Sequence, residues 1–458
     1  MKTVYTKFLF IAVFALSATL SGCSGKKSNE FEGKNTEEVQ NLFTHAINDI
    51  RSGEATEKEK AQRFSDLGER ALEAPRAAHL AIDAFEEALK NDSENTKANF
   101  YSALLLPVLS LKGMAIKMTK IATPEAIAEM ISKILSDIKN ADARNLVSEF
   151  LSGAAVGEVF KTPSEAQAYL VSKVLPTLAE SQKRLSKVLE NPHFSVTLHT
   201  DQWGEAHNWY GRRNAVTLDH AETHAIEVGL KGVATYIKIL AAYNLDAAIA
   251  LRDEYQGRRQ ATFKEVVESI KKHAKFLTLN EGGAENLKSI LADGSDAIEG
   301  LKIIANMLNG SRDKDRHDNL LPPFQTKYDY ADFMQGLVWA TEVLAGPMEF
   351  TMEKNGRSKV IWIDFTAMLA NPVQDLKSVL PTEFDTTGKY GKVYPDVKFG
   401  GIVPNGDLIS TYCTVYDKDK GYVYLGKFFL RRYLVRSFEV PVVCPQQGQP
   451  QAEEMDKK

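Results

Sequence analysis

One pattern dominates this chain: apolar residues return every three to four positions from about residue 36 to residue 346. Leu80, Ala84 and Ala88, with Phe85 and Leu89, fall on one face at i, i+4 spacing, as a half-buried helix requires. The same spacing recurs in Ala126–Ile138, Ala166–Leu189, Ala225–Leu251 and Ala297–Leu308. Breakers stand between these segments: Thr123-Pro124, Thr162-Pro163-Ser164, Asn191-Pro192, Glu281-Gly282-Gly283 and Asp293-Gly294-Ser295. A threonine followed by proline is a good helix start, because the hydroxyl caps and the ring sits in the first turn. The pattern predicts a mainly α fold, a helical array or bundle in which each helix hides a stripe against its neighbours.

After Gly346 the period changes. Glu349–Lys354 and Ser358–Phe365 flank Asn355-Gly356-Arg357, and Asn-Gly between alternating runs is a strong hairpin signal. Short helical stretches are expected at Thr366–Leu369 and Gln374–Leu380, a loop-rich span from Pro381 to Pro404, and strands at Leu408–Tyr416 and Tyr422–Phe429. The expected organisation is a signal segment over 1–22, a flexible tether over 23–38 and an α-helical domain over 39–346. A small α+β region over 347–444 and a disordered tail over 445–458 complete it.

Hydrophobic residues make up 44% of the 458 and charged residues 25%, which excludes disorder throughout. A mean hydropathy of -0.26 and a single long apolar run, at the N-terminus, exclude a polytopic membrane protein. Lys+Arg number 56 against 60 Asp+Glu, a net charge of -4, which argues against a dedicated nucleic-acid binder.

The N-terminal run has the layout of a secretory signal: Lys2 and Lys7, an apolar stretch from Phe8 to Ala18, then small residues. It closes on Leu20-Ser21-Gly22-Cys23, which resembles the bacterial lipobox. The resemblance implies cleavage before Cys23 and acylation of its sulfur and its new amine. Several acyl chains hold a protein to a bilayer durably where one does so only marginally. Ser24, rather than aspartate, follows the cysteine, which by the same resemblance implies the outer membrane, with the body facing the periplasm or the cell surface.

Export also bears on the other two cysteines. Cys413 and Cys444 would lie in an oxidising compartment, and a bridge between them would close a loop of about thirty residues, adding roughly 3 kcal/mol.

Within the helical domain, Ala81, Phe85, Ala88 and Leu89 resemble the second helix of a tetratricopeptide repeat, over about residues 62–120. Ser93 stands where that family places a proline, and the next helix offers Ala98, Phe100 and Ala103. No second copy follows at the roughly 34-residue period, so an ordinary helix pair is the alternative.

Histidine is distributed unevenly. Of nine in the chain, His193, His199, His207, His220 and His224 fall in residues 193–224. His220 and His224 are four apart, a spacing that chelates a divalent transition metal on one helix face, with His199 and His207 as further candidates. Glu222 stands one place too late for a zincin and points away from that face. Trp203, Trp209, Arg212 and Arg213 suit a small organic anion or a sugar by stacking and charge-assisted hydrogen bonds. The plainer alternative is a polar loop feeding a helix. Asp313, Asp315 and Asp318 lack the central glycine and terminal glutamate of a calcium loop. Leu104–Leu111 and Ala115–Ile121 are apolar enough to line a lipid-accepting groove or to form a core helix.

Three functions follow. The first is a lipid-anchored, non-enzymatic binding or scaffold module with a protein or small-molecule partner and no cofactor. The second is a metal-dependent hydrolase or small-ligand binder using residues 193–224. The third is a lipid or solute carrier component.

Overall fold

The computed structural model describes residues 29–444 except 32, 75, 137–140, 154–157, 200–205, 209–210, 214, 256–260, 311–319, 322, 325, 417–418, 425–428, 431–432 and 435–438. Of residues 142, 143, 146, 198–199, 206–208, 211–213, 215, 424, 429–430, 433–434 and 439 it describes the backbone alone. The fold is mainly α with small sheets. It divides into two compact units, residues 1–237 with 296–334, and residues 238–295 with 335–458.

The first unit opens with α1 (Thr36–Ser52) and α2 (Glu57–Glu73). Both start on full capping boxes, Asn35 with Glu38 and Thr56 with Glu59, which satisfy amide donors that a helix start leaves over. Helices α3 (Ala81–Asn91) and α4 (Thr96–Leu109) follow. Residues 29–35, expected as tether, are packed instead. Phe31 is buried against Phe43, and Asn29 donates to the Arg70 carbonyl.

Helix α4 is apolar almost all round and forms the centre of this unit, with Phe100, Tyr101, Leu104, Leu105 and Val108 buried. The segment Thr96–Lys117 is long and apolar enough to cross a membrane, yet most of it is buried inside the unit. This favours the core-helix reading of Leu104–Leu111 over the lipid groove.

Then come α5 (Met114–Lys117), α6 (Pro124–Ser136), α7 (Ala141–Ser152), α8 (Pro163–Tyr169) and α9 (Leu175–Leu189). Helix α9 returns across a long stretch of chain to pack on α4. Phe194, just beyond it, meets Phe100 at 4.9 Å between ring centroids. Arg184 on α9 holds Glu86 on α3 as well as its own Glu180, and Lys187 holds Glu94.

In the second unit, residues 238–295 cluster with the C-terminal part rather than with the helical domain to which the sequence pattern assigns them. Backbone bonds explain this. Leu279 N–H donates to the Gln374 carbonyl, Leu376 N–H to the Leu277 carbonyl and Lys264 N–H to the Gly388 carbonyl. The Lys377 ammonium closes the join by donating to the carbonyls of Ala274 and Phe276.

The helices that enter this unit are the end of α10 (His220–Ala242), α11 (Ala248–Tyr255), α12 (Phe263–Lys272), the first part of α13 (Gly283–Gly310) and the last part of α14 (Lys327–Ala345). Helix α13 runs unbroken through Asp293-Gly294-Ser295, where a break is expected. Gly294 is there for close approach, since an added Cβ would stand 3.1 Å from Leu344. Asp293 is held by Lys238, and Ser295 donates to the Leu291 carbonyl.

Four short strands belong to the first unit: β1 (Val196–His199), β2 (Ala206–Asn208), β3 (Gly211–Arg213) and β4 (Ala215–Leu218). In the second unit, strands β5 (Met348–Lys354) and β6 (Arg357–Ile363) form the expected hairpin, with Asn355 and Gly356 both at positive φ. Short helix α15 (Ala367–Ala370) follows.

Strands β7 (Glu383–Phe384) and β8 (Gly391–Val393) precede α16 (Leu408–Tyr416), and β9 (Lys420–Tyr424), β10 (Phe429–Leu430), β11 (Tyr433–Leu434) and β12 (Glu439–Val443) follow it. One sheet has the order β7-β8-β12-β9, with β12 parallel to β8 and antiparallel to β9, while β10 pairs with β11. Residues 408–416 are thus a helix, not the expected strand. Leu408, Thr411, Tyr412 and Val415 turn one buried face by helical spacing. Ile361, Phe399, Val403, Tyr412, Val423 and Val442 belong to the core of this unit.

Candidate functional site

The histidine-rich window is not a plain loop. Its described residues form two antiparallel strand pairs leading into α10. Val196, Val216 and Leu218 are buried, and Thr197 faces Thr217 with their hydroxyls 3.2 Å apart. Register places His199 opposite Ala215, His207 opposite Arg212 and Ala206 opposite Arg213. The backbone thus sets His207, Arg212 and Arg213 in one short ladder. Trp203 and Trp209 lie outside the described residues.

Strand β4 ends at Asp219, which caps α10. Its carboxylate accepts the Ala221 N–H, and its carbonyl accepts both the N–H and the hydroxyl of Thr223. Glu222, three residues on, reaches back to accept the Asp219 N–H at 3.1 Å, as the glutamate of a capping box does. Its other oxygen accepts the Leu321 N–H at 2.9 Å, a contact across 99 residues of chain. Glu222 is buried. Both oxygens hold backbone, one at the helix start and one in the turn that precedes α14.

His220 and His224 lie side by side, ring centroids 4.9 Å apart, in an edge-to-face arrangement. Among the described residues neither buried Nδ1 has a partner within hydrogen-bond distance. His224 Nδ1 stands 3.7 Å from Glu227 Oε2, and Glu227 in turn pairs with Lys231 at 3.3 Å. His220, His224, Glu227 and Lys231 follow at i, i+4, i+7 and i+11 and so share one stripe of α10.

Burial holds the His220 imidazole below its ordinary value, and the neighbouring His224 adds to this, against an opposing hydrogen bond to the Asn191 backbone. Glu227 is held below the usual carboxylate range, first by His224 and further by Lys231. Glu227 and Lys231 were legible as a continuation of the His220, His224 spacing.

Among the described residues, no three His, Cys, Asp or Glu side chains stand together as metal ligands. His193 is exposed, and its N–H donates to the Asn191 side chain. Of the aspartates in the charge-mixed loop, Asp313, Asp315 and Asp318 fall outside the described residues, as does Cys23. Cys413 and Cys444 are joined as a disulfide that ties α16 to the end of β12. The chain matches no family model, no curated protein and no solved structure.

Proposed function

We propose that this protein is a lipoprotein anchored in the outer membrane through Cys23, and that its helical body is a non-enzymatic binding or scaffold module. The lipobox motif supports the anchor. The observation that carries the scaffold reading is the use made of Glu222. It is the carboxylate between the two best-placed histidines, and both of its oxygens are engaged in fastening backbone. A general base needs a free oxygen within reach of a substrate proton. Here the helix start is built as a knot, which leaves function to the surfaces of the helices. Of these, α13 and α14 present Ile303, Tyr328 and Phe333 exposed on residues of the first unit.

Site-specific photo-cross-linking tests the reading in intact cells. A photoreactive residue at Tyr328 or Phe333 is expected to yield a discrete adduct that survives His220→Ala/His224→Ala. Loss of the adduct in that double variant, or no adduct at either position, would refute it. Mass spectrometry of the mature N-terminal peptide tests the anchor, which requires acyl chains on Cys23.

The side-by-side rings of His220 and His224, whose buried Nδ1 atoms have no hydrogen-bond partner among the described residues, favour one second reading: a divalent metal or small ligand held on this face with a further group from β1–β3. Metal analysis of the purified protein decides it. One equivalent of zinc, lost in His220→Ala, supports the second reading over the first.

A further inference from the structure

The hairpin of the second unit has two faces of opposite character. Along β5, Glu349, Thr351 and Glu353 are exposed and the residues between them half-buried. On β6, Ile361 and Ile363 are buried, while Val360 and Trp362 are 45% and 40% exposed. Register sets Glu349 opposite Trp362, Thr351 opposite Val360 and Glu353 opposite Ser358. Residues directly opposite share a face, so these six form one outward surface. Among them are two carboxylates, two hydroxyls, a valine and an indole, and no cation.

The cations of the ribbon are turned the other way. Lys354 holds its ammonium over the Tyr416 ring, 5.2 Å from the centroid, and Arg357 donates to the Thr414 carbonyl. Both partners belong to α16, which packs on the hairpin. Lys359 pairs with Met352, on the same inner side of the register. The outward surface is also fixed in place. Ile361 lies in the core of the unit, with Phe350 packed against that core. A one-residue slip of β6 would turn Ile361 and Ile363 outward, so burial holds the register.

Charge decides what such a surface takes. Two copies of the chain set face to face here would bring four carboxylates together, and an anionic lipid surface would be repelled. A neutral sugar stacks on an indole but leaves both charges unanswered. A cation is attracted by the indole face, and a carboxylate beside it adds to the attraction. We propose that the outer face of β5 and β6 docks an extended basic segment of a partner protein. One cation lies over Trp362 against Glu349, and a second meets Glu353. Four residues along a strand span about 13 Å, so an extended partner matches the two acids with cations four apart. Only every second side chain of such a segment faces one way, which puts an apolar residue between the cations, over Val360. The ribbon belongs to the second unit, so the inference stands apart from the surface offered by Tyr328 and Phe333.

The test is a titration of the full chain with the capped peptide Arg-Thr-Val-Thr-Arg, read from the indole N–H resonance of Trp362, which Trp362→Phe identifies by its loss. The peptide is expected to shift that resonance saturably, more weakly as salt is added, and Glu-Thr-Val-Thr-Glu to leave it in place. Arg-Arg-Thr-Thr-Val, of the same composition with its cations adjacent, is expected to bind about fivefold more weakly. Glu349→Gln/Glu353→Gln is expected to weaken the first peptide about tenfold. Equal binding of the rearranged peptide, unchanged affinity in the double variant, or no shift with any peptide would overturn the proposal. So would a shift by a chito-oligosaccharide in place of the basic peptide, which would assign the face to a glycan. A dimer in sedimentation that Trp362→Phe dissolves would assign it to a second copy and overturn the proposal equally. Should the double variant fail to fold, the three peptides on the wild-type chain decide by themselves.

Discussion

Gly68 on α2 lies so close beneath the ring of Phe85 on α3 that the Cβ it lacks would stand 2.6 Å from Phe85 Cε1. Phe85 is fully buried, and its other side stacks on Tyr101 at 5.2 Å with the planes 14° apart. The ring therefore has nowhere to retreat. Gly68→Ala is expected to cost about 1–3 kcal/mol, the usual range for overpacking a filled core. Phe85→Leu is expected to recover part of that loss in the double variant while being destabilising by itself. Urea unfolding of the four proteins measures the coupling, and strict additivity would show that the two residues do not touch.

Glu222 supplies the second prediction. Glu222→Gln keeps one acceptor oxygen and loses the other, so one of the two backbone donors is stranded. A cost of about 1–2 kcal/mol is expected, with about 2–3 for Glu222→Ala. Amide exchange locates the damage. The Leu321 N–H, bonded to Glu222 across 99 residues, should exchange much faster in either variant, while amides in the middle of α10 hold their protection. Unchanged protection at Leu321 would contradict the geometry.

The helical period was legible because it is local: a residue and its neighbour four places on report the same face. Leu80, Ala84, Phe85 and Ala88 are buried as that spacing demands. The role of Gly68 was not legible, since a glycine in a helix reads as a weak point until the ring above it is known. The return of α9 was hidden because its partners are remote: Arg184 and Glu86 on α3 are 98 residues apart. Residues 408–416 misled through composition. Thr411, Tyr412, Thr414 and Val415 favour strands by propensity, but burial of one helical face overrides it. In the candidate site, the pairing of His220 with His224 was legible from spacing and the occupation of Glu222 was not, because Leu321 is remote.

The disulfide gives a third prediction. Cys413 and Cys444 are 31 residues apart, and the loop they close contains β9 and β12. Cross-linking a loop of that size removes unfolded-state freedom worth roughly 3 kcal/mol. Cys413→Ser/Cys444→Ser is expected to destabilise the second unit by about 2–4 kcal/mol. Proteolysis between residues 417 and 440 should rise in the double variant and in wild type under dithiothreitol. Equal resistance with and without reductant would show that the sheet holds without the bridge.

Acid response gives the last prediction, and its sign follows from two histidines. Burial lowers both His79 and His220 from the ordinary value of 6.5, assisted by Lys112 at the first and by His224 at the second. In the unfolded chain both would titrate near that ordinary value. Above it, neither state binds the proton and the two residues do not affect stability. Below it, the unfolded chain binds protons that the folded one refuses, so stability falls with falling pH until the folded values are passed, then levels. The slope contributed by each histidine is at most about 1.4 kcal/mol per pH unit. His79→Gln/His220→Gln is therefore expected to flatten the denaturation midpoint between pH 5 and 7 (about one unit either side of the ordinary histidine value) and to leave it unchanged in shape above. Carboxylates impose their own loss at lower pH in both proteins, so the difference between the two curves isolates the imidazoles. Parallel curves would mean that neither ring is shielded from water in the folded chain.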